Sequence, residues 1–107
     1  MFQGIDLASD TATLPTAAMK QAMLEAPLGD EQKDEDPTTR QLERKVAELL
    51  DVGDAMFTPS ATMANQIALL LLAEAGGELL ASENSHILTA ESGASAVLSR
   101  TMAKPIN

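Results

Sequence analysis

Short apolar runs that alternate with helical segments dominate the second half of this sequence and restrict the folds open to it. "AMFT" and "ELLAS" are typical of buried strands, and "AVLSR" before Pro105 predicts a third. The residues from Met63 to Ala73 include almost no polar positions, which predicts a helix buried on most of its sides. Strands that alternate with helices pair in parallel through crossover connections, so the sequence predicts an α/β layer fold.

The first half of the chain predicts two helices that follow an extended arm. Residues 1–15 place isolated apolar residues among short polar ones and stop at a proline, as an extended arm does. Apolar residues recur at helical spacing from Thr16 to Ala26, and a second helix follows in which Thr38 and Gln41 are spaced as a capping box. An acidic stretch with proline and glycine separates the two helices and predicts an exposed loop.

Composition narrows the classes of function. The 107 residues suffice for one small domain, and 16 acidic against 7 basic residues give a formal charge of −9, which argues against nucleic acid and anionic membranes as partners. There is no cysteine, hence no disulfide framework or thiolate metal site. The run "IALLLLA" is too short to span a bilayer, and the N-terminus has no signal-peptide pattern, so we expect a cytoplasmic protein.

Three local features are candidates for chemistry, and each has an ordinary structural alternative. "PSAT" lies where a helix is predicted to begin, so its N–H groups and hydroxyls suit a phosphate; alternatively, Ser60 or Thr62 simply caps the helix. His86 is the only histidine and follows a predicted strand, where it is either a proton carrier or a surface residue. The acidic run at residues 30–36 lacks the ligand spacing of a calcium loop and is interpreted as a solvated loop.

Four stretches, in this order along the chain, together resemble one known family. They are "DLASDTATLPTAAMKQAM", "GDEQKDEDPTTRQLE", "FTPSATMANQIAL" and "SENSHILTAESGAS". The chain resembles the first part of the low-specificity L-threonine aldolases, in the β-eliminating lyase group of fold-type I pyridoxal-phosphate (PLP) enzymes. The resemblance implies an incomplete N-terminal part of the fold-type I PLP-dependent transferase fold, with parallel-type strands and flanking helices. Residues 1–107 would then be a single partial domain, made of an arm (1–15), two helices (16–52) and the start of the PLP-binding large domain (53–107).

The resemblance also implies roles for individual residues. Ser60, Ala61 and Thr62 match a loop that holds the PLP phosphate through backbone N–H groups and the threonine hydroxyl. His86 matches a histidine that stacks on the pyridine ring and can help to move protons during carbon–carbon cleavage. Ser9 matches a serine near the substrate carboxylate. Other residues of the arm and the acidic loop match positions that order the site, namely Asp10, Thr11, Glu35 and Asp36.

The chain departs from the family pattern at three places. Ala61 stands where relatives usually have glycine, and Ala8 replaces a usual arginine. Residues 32–34 replace a stretch that usually carries a tyrosine and a glycine. These departures indicate either an altered substrate preference or a copy no longer selected for activity.

The activity that the resemblance implies is PLP-dependent cleavage of a β-hydroxy-α-amino acid, such as threonine or allo-threonine, to glycine and an aldehyde. Two alternatives stay open: another PLP-dependent β-eliminating lyase, and a truncated assembly module without catalysis. The expected partners are an amino-acid substrate and either further copies of the chain or a complementing C-terminal portion, with no nucleic acid and no membrane.

Length raises a further expectation. Family members are longer, and their Schiff-base lysine comes later in the chain; the lysines present here do not match its motif. They are Lys20, Lys33, Lys45 and Lys104. We therefore expect these residues to be part of a longer or split enzyme, or a truncated product, that is inactive alone and covers its apolar faces by association.

Overall fold

The computed structural model describes residues 4–107, which form two compact units divided after Ala55. The first unit contains helices α1 (Ala17–Glu25) and α2 (Pro37–Leu50) and two short 3₁₀ helices. The second unit contains α3 (Ala61–Leu72), β1 (Glu78–Ser82), α4 (His86–Thr89), α5 (Ala94–Val97) and β2 (Met102–Ile106).

The arm expected at residues 1–15 begins outside the described part of the chain, and from residue 4 onward it is almost wholly exposed. It contains one 3₁₀ turn at Asp10–Ala12, which Ser9 caps. The first predicted helix follows as α1, and the hydroxyl of Thr16 accepts a hydrogen bond from the N–H of Met19 at 3.2 Å. A side-chain cap of this kind satisfies one of the free N–H groups at a helix start.

The second predicted helix forms as α2, but a different residue caps it. Asp36 is the N-cap, and its carboxylate accepts the N–H of Thr39 at 2.8 Å. Pro37 occupies the first helical position. An N–H at that position would have no acceptor within the helix, so proline loses no hydrogen bond there. The predicted capping box of Thr38 and Gln41 is therefore wrong, because Thr38 already lies inside the helix.

The acidic loop before α2 is exposed, as predicted, and it is tied to α2 by one arginine. Glu31–Lys33 forms a 3₁₀ turn, and Asp34 follows in the left-handed conformation with φ of 63°. The guanidinium group of Arg40 contacts Asp34 at 2.6 Å, Glu31 at 3.2 Å and Glu43 at 2.8 Å. Because Arg40 lies in the first turn of α2, its ion pairs with Glu31 and Asp34 hold the acidic loop against the start of that helix, while Glu43 belongs to α2 itself.

Gly29 lies where the acidic loop folds back on itself. A Cβ atom at this position would overlap the carbonyl oxygen of Glu35 and lie 2.8 Å from the Cα of Asp36. We expect Gly29→Ala to lower the free energy of unfolding by about 1–3 kcal/mol, because backbone rather than a flexible side chain has to move. Urea denaturation measures the difference. Gly53→Ala is the matched control, since nothing lies within 4 Å of a Cβ there, and equal losses in the two variants would contradict the prediction.

In the second unit, β1 and β2 form a parallel pair, which confirms an α/β arrangement with parallel strands. The register places Glu78 opposite Met102 and Ser82 opposite Ile106. The short helices α4 and α5 lie in the connection between the two strands. Parallel strands require a crossover of this type, because a tight hairpin joins only antiparallel neighbours.

Of the three predicted strands, only "ELLAS" is confirmed, as β1. "AMFT" is not a strand, and its Met56 and Phe57 are 64% and 55% exposed. "AVLSR" is also wrong: its first residues belong to α5, and the strand begins later, at Met102. Short apolar runs fit a helical turn as well as a strand, and Pro105 is tolerated in β2 because β2 lies at the edge of the described sheet.

Helix α3 forms where it was predicted, but its predicted burial on most sides is wrong. Within α3, Gln66 is the buried residue, whereas Leu70, Leu71 and Leu72 are 54%, 78% and 86% exposed. Apolar periodicity shows which faces favour burial and not what covers them. The described residues leave this end of α3 uncovered, and α3 therefore presents apolar surface.

A polar turn fixes the start of β2 beside β1. The hydroxyl of Ser99 donates to the carbonyl oxygen of Ser95 at 2.8 Å and lies 3.0 Å from the hydroxyl of Thr101. Arg100 makes the turn with φ of 55°, and its carbonyl oxygen accepts the N–H of Gly76 at 2.8 Å. Gly76 has φ of 85°, a conformation that glycine adopts at little cost.

Candidate functional site

The start of α3 presents backbone N–H groups together with hydroxyl side chains. Ser60 is the N-cap in an extended conformation, and its hydroxyl accepts the N–H of Met63 at 3.2 Å. The N–H groups of Ala61 and Thr62, at the first two helical positions, have no acceptor within the helix. The hydroxyl of Thr58 donates to the carbonyl oxygen of Ser60 at 3.1 Å and holds the preceding loop. Free N–H groups at the positive end of the helix dipole make this a favourable place for an anion.

Ala61 fits this helix start without backbone strain. Four non-glycine residues of the described chain have positive φ, and Ala61 is not among them: they are Asp34, Asp51, Ser92 and Arg100. A Cβ atom is unfavourable mainly where φ is positive, so an alanine in the first helical position requires no special conformation. An alanine in place of the glycine that the resemblance implies therefore leaves the N–H groups in place.

One buried carboxylate joins the second turn of α3 to α4. The side chain of Glu91 has no exposed surface, and both of its oxygens accept hydrogen bonds. Its Oε1 accepts from Asn65 Nδ2 at 2.6 Å and lies 2.9 Å from His86 Nδ1, while its Oε2 accepts from Gln66 Nε2 at 2.8 Å. A buried charge requires such partners, because an unpaired one is costly to remove from water.

His86 begins α4 and combines a buried anchor with an accessible ring. Its Nδ1 faces Glu91, yet 62% of its side-chain surface is exposed. A histidine that is held at one ring nitrogen and accessible over most of its ring can stack on a ligand or exchange a proton with it. His86 is therefore a surface residue that one carboxylate holds in place, and its role as a proton carrier stays a prediction.

The hydrogen bonds around Glu91 make its carboxylate form more favourable. The contact with His86, followed by the amide donors of Asn65 and Gln66, holds the pKa of Glu91 below its usual range, although burial acts in the opposite direction. In the first unit, the N–H groups of Thr39 and then Gly29 similarly lower the pKa of Asp36.

These two lowered pKa values predict acid sensitivity of the fold. Each of these groups has a lower pKa in the folded state than in the unfolded state. At a pH between its folded and unfolded pKa values, the unfolded chain binds more protons, so the free energy of unfolding rises with pH there. The stabilisation is complete above the unfolded values, about 4.3 for Glu and 3.9 for Asp. It is lost as the pH falls through the folded values. We expect the urea midpoint to drop as the pH decreases below about 4.

The matched variants for this pH prediction are Glu91→Gln and Glu83→Gln, since Glu83 is exposed and carries the same charge. The acid-induced drop of the urea midpoint should be smaller in Glu91→Gln than in Glu83→Gln. Identical pH profiles for the two variants would contradict the assignment of acid sensitivity to Glu91.

The structure brings some of the candidate residues into one unit. Ser60, Ala61 and Thr62 begin α3, and the same helix is hydrogen-bonded through Glu91 to His86. The other candidates lie in the first unit. There the Oγ of Ser9 lies 2.9 Å from the hydroxyl of Thr11 and accepts its N–H at 3.3 Å, beside Asp10.

Sequence reasoning missed the residues that hold His86: Asn65, Gln66 and Glu91. The available signal was Gln66, an amide in a mostly apolar helix, because a buried amide requires polar partners. Nothing in the sequence identified Glu91 as that partner, since 25 residues separate it from Gln66.

Residues 4–107 contain neither a metal-binding cluster nor a membrane-spanning helix. No group of three or more His, Cys, Asp or Glu side chains there is arranged to hold a metal ion. In the same part of the chain, no helix has the length and apolar character needed to cross a membrane.

Comparison with known proteins gives the class. The family profile described as "Beta-eliminating lyase" matches residues 6–107, so the chain belongs to the β-eliminating lyase family. This confirms the resemblance found in the sequence. Low-specificity L-threonine aldolases from several organisms are 38–43% identical to this chain over most of its length.

Three relatives illustrate the similarity. The low specificity L-threonine aldolase of Escherichia coli (strain K12) is 42% identical over 103 residues, which cover 96% of this chain and 31% of the relative. The probable low-specificity L-threonine aldolase 2 of Arabidopsis thaliana is 43% identical over 90 residues, 83% of this chain and 25% of the relative. Alanine racemase TOXG of Cochliobolus carbonum is 41% identical over 103 residues, which cover 94% of this chain and 26% of the relative. The chain spans between a quarter and a third of the length of these relatives.

Proposed function

We propose that this chain is the N-terminal part of a PLP-dependent aldolase that cleaves L-threonine and L-allo-threonine to glycine and an aldehyde. Family membership and the identity to L-threonine aldolases support the proposal. The observation that carries it is local: the helix that begins with free N–H groups at Ala61 and Thr62 is hydrogen-bonded, through Glu91, to an accessible His86.

The donors at the start of α3 fit the phosphate of PLP. The N–H groups of Ala61 and Thr62 and the hydroxyls of Ser60 and Thr62 would hold it, and the dipole of α3 favours its negative charge. His86 would lie against the pyridine ring. When bound, the cofactor supplies an electron sink for the charge left on the substrate Cα.

His86 has a defined proton role in the proposed reaction. As the substrate Cα–Cβ bond breaks, its electron pair remains on Cα, and the β-hydroxyl proton moves to an imidazole nitrogen of His86. The O–H electron pair becomes part of the aldehyde carbonyl group. A proton returned to Cα completes glycine, so that the net reaction neither gains nor loses protons. Ser9 is proposed for the substrate carboxylate on the resemblance of its motif alone.

The remaining assignments belong to the same proposal. Residues 1–15 form an arm, 16–52 contribute two helices, and 53–107 begin the PLP-binding large domain of a fold-type I enzyme. The exposed leucines at the end of α3 favour burial against further chain or another copy of it, hence a homo-oligomer or a complementing C-terminal portion. We assign the protein to the cytoplasm.

One comparison favours a second candidate. The relative named an alanine racemase is as similar to this chain as the aldolases are. Another PLP-dependent reaction of the family, without carbon–carbon cleavage, would use the same phosphate and histidine positions. A truncated assembly module is the alternative outside catalysis.

A substrate panel separates the three candidates. The whole reading frame that contains this segment is expressed, loaded with PLP and supplied separately with L-threonine, L-allo-threonine and L-alanine. We expect glycine and acetaldehyde in equal amounts from the first two substrates and no D-alanine from the third. D-alanine without glycine would favour the racemase candidate, and no product from any substrate would favour the module. The 107-residue chain alone, the control, should release no glycine.

A further inference from the structure

We propose that Glu91 is a positioning residue for His86 and determines which of its ring nitrogens carries the proton. The consequence for catalysis rests on the proposed aldolase function. The geometry of Glu91 and His86 does not depend on that function, because it involves only side chains of the second unit.

The contacts of Glu91 leave it little freedom. Its side chain has no exposed surface, and three donors surround its two oxygens at 2.6–2.9 Å. Two of these donors, Asn65 and Gln66, belong to the second turn of α3, and the third is the ring of His86. Ser92, the next residue, has φ of 54°, which turns the chain sharply after the carboxylate. The three side-chain contacts therefore hold the Glu91 carboxylate in one position.

An ionised carboxylate only accepts hydrogen bonds, and this fixes the tautomer of the ring. With Oε1 of Glu91 2.9 Å from Nδ1, the proton of a neutral His86 must lie on Nδ1. The lone pair is then on Nε2, the nitrogen that would accept the proton of the substrate hydroxyl group. A base oriented by a carboxylate at its other nitrogen is a recurring arrangement in catalysis.

The same carboxylate links this ring to the proposed phosphate site. Asn65 and Gln66 follow the helix start by one turn, so a hydrogen-bonded path of two side chains joins α3 to His86. Loss of Glu91 would leave two amide groups and one ring nitrogen without their acceptor. We infer that Glu91 sets both the protonation pattern of His86 and its position relative to α3.

The tautomer can be measured on the whole protein without cofactor. Selective labelling gives one pair of ¹⁵N ring signals for each histidine, the pair lost in His86→Ala belongs to His86, and a pH of about 9, well above the usual imidazole pKa, favours neutral rings. We expect the shifts of an Nδ1–H, Nε2-unprotonated ring. Glu91→Met removes the acceptor and should move the population toward Nε2–H, whereas Glu83→Met, at an exposed position, should not. Predominant Nε2–H in the wild-type chain would overturn the proposal, even if Glu91→Met fails to fold.

Kinetics of the whole PLP-loaded protein supply the second arm. Glu91→Gln should lower kcat for L-threonine by about 10- to 100-fold and change KM by less than about threefold, because the role concerns proton transfer and not binding. Glu91→Asp keeps the charge and should recover part of kcat; Glu83→Gln should equal wild type. A raised KM with unchanged kcat would overturn the positioning role. If the protein cleaves no threonine, the proposed function fails, and the tautomer measurement still decides the role of Glu91.

Discussion

Replacing His86 with alanine in the whole, PLP-loaded protein should lower kcat for L-threonine cleavage by about 100-fold or more. A positioned acid–base group contributes about 10²–10⁴-fold to the rate of a proton-transfer step. The stacking surface of the ring is lost at the same time, so we also expect weaker PLP binding. Initial rates of aldehyde release across substrate concentrations measure both kcat and KM.

The fold should tolerate this substitution, which keeps the result interpretable. The ring of His86 is 62% exposed, and Glu91 retains its hydrogen bonds from Asn65 and Gln66. Thr89→Ala is the control on the same short helix, because Thr89 is exposed and its hydroxyl contacts only the backbone carbonyl of Ser85. Wild-type turnover in His86→Ala would return His86 to the class of surface residues.

The helices were predictable because their signals are local. Apolar spacing located α1, α2 and α3 to within two or three residues of their observed bounds. The cap of α2 was not predicted, because Asp36 and Thr38 both have side chains that cap helices, and the choice depends on how the acidic loop folds around Arg40. Local sequence offered both residues, and tertiary contacts selected Asp36.

The strands were less predictable because a strand is defined by its partner. "ELLAS" and residues 102–106 form strands because they pair with each other, whereas the equally apolar "AMFT" has no paired strand among the described residues. The burial of α3 failed as a prediction for the same reason. Its leucines favour burial, but periodicity carries no information about which element covers Leu70, Leu71 and Leu72.

In the candidate site, too, the residues with local signals were predictable and the residue that acts through long-range contacts was not. The motifs "FTPSATMANQIAL" and "SENSHILTAESGAS" indicated Ser60, Ala61, Thr62 and His86 through their resemblance to one family. The order of the motifs along the chain indicated that family. The carboxylate that holds His86 was invisible, because a glutamate in a loop is most often solvated and its amide partners lie 25 and 26 residues away. Long-range hydrogen bonds between side chains leave no periodic trace in a sequence.

The central claim, that the start of α3 binds the phosphate of PLP, can be tested by removing a single N–H group. Ala61→Pro deletes the N–H at the first helical position, where proline is well tolerated. Ser60 precedes it with φ of −153° and ψ of 150°, an extended conformation that a residue before proline can adopt. The helix should therefore persist while one donor to the phosphate disappears. Ala61→Gly keeps the N–H and is the matched control.

The deciding measurement is the affinity of the whole protein for PLP compared with its affinity for pyridoxal, which has no phosphate. One hydrogen bond to a charged group contributes about 1.5–3 kcal/mol, so Ala61→Pro should weaken PLP binding by about 10- to 100-fold. Binding of pyridoxal should stay unchanged, and Ala61→Gly should bind PLP as wild type does. Equal affinity of Ala61→Pro and wild type for PLP, or an equal loss for PLP and pyridoxal, would contradict a phosphate site at the start of α3.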